Sequence, residues 1–308
     1  MPNDRPLLGI ALMLGFCVLA PLGDSIAKIL GASMDILHLL VVRFAFQALI
    51  LVPLLWLTGR KIVTNARITR ITALRTVLHI IGIGTMFTSL KYLPIADAIA
   101  IAFVMPFIML LLGKYVLGEE VGPHRLAAAT VGFAGTLLVI QPNFANVGWP
   151  ALLPLIVAVV FALFMLVTRT IAKEVDAVSL QAQSGLMAFA MLLPVAMIAG
   201  AMGWASPVAL PGITDTALLL TMGVIGTLGH LLMTWSLRFA PAATLAPMQY
   251  LEIPVATLFG WLIFSDLPNG LAALGITITI AAGLYVVRRE QLTAAAARRS
   301  LGAAPPAS

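Results

Sequence analysis

The sequence predicts an all-α integral membrane protein, ten transmembrane helices built from an inverted five-plus-five repeat. Three observations carry that expectation. The chain of 308 residues is 61% hydrophobic and 10% charged, with a mean hydropathy of +1.06, whereas a soluble domain carries about 25% charged residues. Its apolar residues gather into ten runs, each close to the roughly 20 residues a membrane crossing needs. The stretch from Leu90 to Glu119 is then written again from Leu237 to Asp266. Ser89/Ser236, Leu90/Leu237, Lys91/Arg238, Pro94/Pro241, Ala96/Ala243, Phe103/Tyr250, Gly113/Gly260 and Glu119/Asp266 all fall at one constant offset. A fixed period of nearly half the chain marks a duplicated unit.

In order, the runs cover residues 7–30, 36–57, 74–92, 96–116, 125–141, 150–169, 179–202, 216–237, 242–264 and 268–287. The third starts beside Arg75 and contains His79. Charge or proline interrupts the first, fourth and ninth. The connection from Gln141 to Trp149 reads as an uncharged external loop. The two repeats occupy residues 1–147 and 148–290. Residues 291–308 have no apolar face and read as a disordered cytoplasmic tail.

Lys and Arg set the orientation. With the N-terminus inside, all of the 18 Lys and Arg residues except Lys28, Arg43 and Lys91 fall in cytoplasmic segments. Five spans per repeat is an odd number, so the second repeat inserts upside down relative to the first. Inverted repeats of this kind build carriers with a midplane site that is exposed to each side in turn.

Composition also excludes function classes. The pI of about 9.9 reflects cationic cytoplasmic loops, not a nucleic-acid partner. The single cysteine, Cys17, rules out a disulfide framework and a Cys-based metal site, and no His-x-x-Glu spacing supplies metal ligands. No Gly-x-x-x-x-Gly-Lys-Ser/Thr loop is present to cradle ATP. There is no Ser/His/Asp arrangement for catalysis, and no cofactor is implied. The partners expected are the lipid bilayer, a small-molecule substrate and protons as a coupling ion. No signal-peptide pattern stands out, because the first apolar run is long enough to span and stay.

Ionisable groups inside a bilayer cost at least about 2.5–3.5 kcal/mol each on the insertion scale, so each is a functional candidate. Glu252 sits mid-span, where the first repeat has Met105. Gln249, three residues earlier, shares its face, Tyr250 adds a phenol, and Pro247 and Pro254 bracket the group. Glu252 reads as a proton-titrating site or an anchor for a substrate amine, against a structural carboxylate. Asp24 and Arg43, on neighbouring spans joined by a short turn, read as a buried ion pair, with an outer gate as the alternative, and Lys28 competes for Asp24. Asp97, in the first turn of span four, reads as a helix cap ahead of a substrate role. His79 and His230 lie within spans three and eight as proton relays or interhelical hydrogen-bond partners. Trp235 reads as packing ahead of cavity lining.

The motifs Pro94-x-Ala-Asp97-Ala…Met-Pro106…Gly113…Gly118-Glu119 and Pro241-Ala-Ala-Thr…Tyr250-Leu-Glu252-Ile-Pro254…Gly260-Trp261…Ser265-Asp266 resemble the EamA-type branch of the drug/metabolite transporter superfamily over residues 7–288. Here Ile253 stands between the glutamate and Pro254. The resemblance implies a ten-helix basket with both termini inside the bacterial inner membrane. Its cavity would be lined by spans one, three, four, six, eight and nine. Glu252, Tyr250 and Gln249 are implied as cavity residues, with His79, Asp97, Phe103 and His230 behind them. The activity implied is secondary transport of a small organic metabolite, with export of an amino acid or related compound favoured. The alternative is uptake of a cationic, zwitterionic or vitamin-like solute.

Overall fold

The computed structural model describes residues 6–62, 65–105, 107–108, 111–112, 123–204, 212–240, 245 and 248–302. Arg5, Pro106, Gly113, Lys114, Gly118, Glu119, Pro241, Ala243 and Pro247 lie outside these residues. The described residues form α-helices: α1 (Pro6–Leu30), α2 (Ile36–Leu57), α3 (Ala66–Leu90), α4 (Ile95–Ala102), α5 (Pro123–Val147), α6 (Leu153–Ile171), α7 (Ala177–Ala201), α8 (Ile213–Phe239), α9 (Glu252–Phe264) and α10 (Gly270–Gly302). A 3₁₀ turn, Trp149–Leu152, leads into α6. Among the described residues, seven helices are long and apolar enough to cross a membrane.

Several boundaries differ from the sequence reading for local reasons. α3 begins at Ala66, two turns early, because Asn65 caps it: its Oδ1 accepts from Arg67 N at 2.9 Å. Arg67, Arg70 and Arg75 are therefore helical, and Arg75 is fully buried rather than part of a loop. α5 runs past Pro142 to Val147. Asn143 pins its end by donating to Val139 O at 2.8 Å and to Asp97 Oδ2 of α4 at 2.9 Å. The expected Gln141–Trp149 loop shrinks to a reversal at Gly148, whose φ of 72° is open to glycine. α10 continues to Gly302, so residues 291–302 are helical where a disordered tail was expected; Ala294–Ala297 favour this.

The runs expected as the fourth and ninth spans are interrupted. α4 stops at Ala102, and Phe103–Val104 form a turn before helix resumes at Met105. α9 begins at Glu252 after a turn at Tyr250–Leu251. These breaks sit at the offset that relates Leu90 to Leu237. Pro254 consequently lies in the first turn of α9, where a missing N–H costs least.

α1 packs chiefly on α8, α3 on α6, α2 on α7, and α5 on α10. α4 and α9 cross each other, with α9 also against α1 and α4 also against α6. Ion pairs fix which helix ends meet. Arg60–Asp176 (3.1 Å), Arg238–Asp176 (3.9 Å) and Arg67–Glu174 (2.7 Å) join the α2–α3 turn, the α6–α7 turn and the end of α8. At the opposite end, Lys28 donates to Leu93 O at 2.7 Å and lies 3.8 Å from Asp266. The exterior is apolar, with Leu49, Trp56, Leu57 and Met197 exposed, while Arg75, Gln47, His79 and Thr136 are buried. Polar groups inside and apolar groups outside suit lipid as solvent.

Candidate functional site

The helices enclose a cavity of about 900 Å³ including its opening. It lies in the half of the bundle nearer Lys28 and Asp266. Asp24 is within two turns of the end of α1, Phe87 within one turn of the end of α3, and Ile99 and Val157 are one turn into α4 and α6. Toward mid-span it ends at Phe16, Phe161, His230, Gln249 and Glu252.

Its wall is aromatic and soft: Phe16, Phe87, Phe103 and Phe161 with Met86, Met105 and Met222. Five polar side chains interrupt it: Asp24, Arg43, His230, Gln249 and Glu252. The lining helices are the six expected, joined by α2 through Arg43.

Asp24 and Arg43 both reach the cavity, but as separate wall groups. α1 and α2 part from their shared turn, and α8 packs against both. The Arg43 guanidinium lies on Gly226 of α8, where a Cβ would come within 3.0 Å of its Cζ. Among the described residues no ion pair within 4.0 Å joins Asp24 to Arg43, although each lies within reach of the other's field. The expected buried ion pair is therefore not formed. Lys28 does not compete for Asp24 either, since its ammonium is spent on Leu93 O and Asp266.

Tyr250 is buried but stands behind the wall. Its ring rests on Phe103, centroids 5.2 Å apart, and against Gly283 of α10. Asp97 stands in the first turn of α4, and its Oδ2 accepts from Asn143 across the α4–α5 contact. Trp235 packs beside Leu51, Leu55 and Leu231, away from the cavity.

His79 and His230 meet. Their Nε2 atoms are 3.3 Å apart, and the pair is boxed by Phe44, Phe164, Phe16 and Phe161. His230 faces the cavity and His79 lies behind it. Two neutral imidazoles in this contact share one proton between the Nε2 atoms, so one Nδ1 carries a hydrogen and the other a lone pair. Both Nδ1 atoms are buried with no hydrogen-bond partner among the described residues.

Beyond His79 lies a polar layer that the sequence reading missed. Arg75 Nε donates to Thr168 Oγ1 (2.8 Å), Nη1 to Ser184 Oγ (2.8 Å), and Nη1 and Nη2 to Gln181 Oε1 (3.3 Å each). The guanidinium also stacks 4.5 Å from the Phe164 ring. Gln181 in turn donates to Thr234 of α8 and accepts from Gln47 of α2 through its carbonyl. The layer ties α2, α3, α6, α7 and α8 together between the cavity and the Asp176 end. One signal was available: Thr72, Arg75, Thr76 and His79 fall on a single helical face, and all four are fully buried.

The model described as the EamA-like transporter family matches residues 7–141 and again 148–288. The chain belongs to this family. A riboflavin transporter of Rhizobium johnstonii is 31% identical over 216 residues, 70% of this chain and 69% of that protein. An S-adenosylmethionine uptake transporter of Rickettsia prowazekii is 24% identical over 283 residues, 92% of this chain and 93% of that protein. A riboflavin transporter of Vibrio cholerae is 24% identical over 253 residues. A solved crystal structure at 17% identity superposes with a TM-score of 0.64, covering 91% of this chain and 97% of its own, and so shares the fold. Seven apolar spans together with membership of the EamA-like family make this a multi-pass membrane protein and a transporter.

Proposed function

We propose that this EamA-family chain is a secondary carrier taking up a flat, heteroaromatic, vitamin-like metabolite across the bacterial inner membrane. The observation that carries the reading is the cavity, with phenylalanine and methionine walls and a few separated polar groups. Such a wall suits a large planar ring system whose heteroatoms need specific partners. The resemblance led us to expect amino-acid export. Uptake replaces it because relatives matching most of the chain are named for riboflavin transport and S-adenosylmethionine uptake.

The helix packing supports an inverted five-plus-five repeat. Exchanging α1 with α6, α2 with α7, α3 with α8, α4 with α9 and α5 with α10 turns the α1–α8 contact into α6–α3. The α2–α7, α4–α9 and α5–α10 contacts map onto themselves. The two broken helices cross on that axis, the arrangement carriers use for a midplane site. The Arg60, Arg67 and Arg238 end is the cytoplasmic one by the positive-inside rule. The cavity then occupies the outer half, with the Arg75 layer and the Asp176 ion pairs closing the inner half. Alternating access opens that inner closure and shuts the Lys28–Asp266 end.

Accumulation of labelled riboflavin and labelled S-adenosylmethionine by cells expressing the chain tests the reading. Saturable uptake of either solute above vector-only cells supports it. Uptake of neither, with release of amino acids instead, returns the assignment to export.

A further inference from the structure

Among the described residues, Arg43 and Arg75 are deeply buried within apolar spans, and they differ in one respect. Arg75 donates to Thr168, Ser184 and Gln181, so its guanidinium is satisfied by the fold. Arg43 is 4% exposed and lines the cavity, and its Nη1 has no hydrogen-bond partner among the described residues. A buried guanidinium N–H without an acceptor is costly to maintain. Gln249 presents the complementary case. It is 1% exposed and also lines the cavity. Its Nε2 points to Met165 Sδ at 3.7 Å. A thioether sulfur can only accept, so that contact fixes which way the amide faces. The other amide atom, Oε1, is left buried and unpaired.

We propose that Arg43 and Gln249 are the specificity-determining pair of this cavity. Arg43 donates to a carbonyl or ring-nitrogen acceptor of the solute, and Gln249 Oε1 accepts from a ring or exocyclic N–H. The assignment rests on the heteroaromatic reading and narrows it to ring systems that carry both an acceptor and an N–H. Gly226 takes part by omission, since its lack of a Cβ leaves room for the Arg43 guanidinium. Fully alkylated rings, which offer no N–H to Gln249, are rejected because binding them would strand Oε1.

Equilibrium binding to the purified full-length protein in detergent tests this with paired probes. Riboflavin is compared with its analogue methylated at the imide nitrogen. S-adenosylmethionine is compared with its analogue dimethylated at the exocyclic amine. Wild-type protein prefers the unmethylated member of whichever pair it binds by about tenfold or more, as expected when a buried acceptor is left unmet. Gln249→Leu brings that ratio close to one by weakening the parent solute alone. Arg43→Met weakens both members of the pair and leaves their ratio in place. Gln249→Glu keeps an acceptor at the same position and keeps the preference, and it carries the test should Gln249→Leu fail to fold. Equal wild-type binding of a parent and its methylated analogue overturns the assignment, as does an unchanged ratio in folded Gln249→Leu or a lost ratio in folded Gln249→Glu. Wild-type protein that binds neither riboflavin nor S-adenosylmethionine removes the heteroaromatic reading itself, and the pair assignment falls with it.

Discussion

Phe103 and Tyr250 occupy equivalent places in the two repeats, and their rings lie against each other with centroids 5.2 Å apart. Each marks the turn that breaks its span. The breaks therefore meet at one point, which fixes the crossing of the two discontinuous helices beside the cavity.

Shortening Tyr250 tests that crossing. Tyr250→Ala removes a buried ring and is expected to cost about 3–5 kcal/mol, the range for deleting a buried aromatic side chain. Tyr250→Phe keeps the ring and is expected to melt near wild type. Gly283→Ala sets a methyl against the same ring and is expected to destabilise by about 1–3 kcal/mol through overpacking. Thermal melts in detergent read all three, and a Gly283→Ala protein as stable as wild type would contradict the packing.

The histidine pair acts as one unit. Removing either ring leaves the other's Nε2 without a partner, so His79→Ala and His230→Ala each lower the melting temperature. The double variant is expected to lose less than the sum of the two single losses, because the shared interaction is lost once. Additive losses would mean the two rings do not share a hydrogen bond.

Arg75 holds the inner layer and lies outside the cavity lining. Gln181→Ala withdraws the acceptor of two of its N–H groups and is expected to cost about 1–3 kcal/mol of stability. Its preference between parent and methylated solute is expected to stay at the wild-type value. A Gln181→Ala protein with normal stability and altered preference would move Arg75 from the fold into recognition.

Glu252 brings a second carboxylate to the cavity, within reach of the field of Asp24. If it carries the coupling proton, Glu252→Gln binds solute yet gains nothing from an imposed pH gradient. Solute accumulation is measured in proteoliposomes with and without the gradient. A variant that still responds to the gradient like wild type assigns coupling elsewhere.

Much of this architecture was legible because membrane helices announce themselves. α2 runs from Ile36 to Leu57, the limits its apolar run gives, and the constant offset between Phe103 and Tyr250 anticipated a relation that appears as direct contact. Glu252, Gln249 and His230 stood out as polar residues in apolar runs, and all three line the cavity. What stayed hidden depended on partners far along the chain. Lys28 is satisfied by Leu93, 65 residues away, so sequence proximity to Asp24 misled. Asp24 and Arg43 stand as separate groups on the cavity wall, with α8 packed against both of their helices, which no count of residues in the α1–α2 turn reveals. Arg75 was read as a loop charge because a lone arginine near a span end fits the positive-inside pattern. Only the stripe of Thr72, Thr76 and His79 on its face argued otherwise.

Counterflow in proteoliposomes distinguishes uptake of a heteroaromatic solute from amino-acid exchange. Purified protein is reconstituted with a high internal concentration of unlabelled riboflavin or S-adenosylmethionine, and a trace of the same labelled solute is added outside. The account expects transient accumulation of label above equilibrium for at least one of the two, sharply reduced in Arg43→Met. Label that never exceeds equilibrium for either solute, while amino acids exchange, would contradict it.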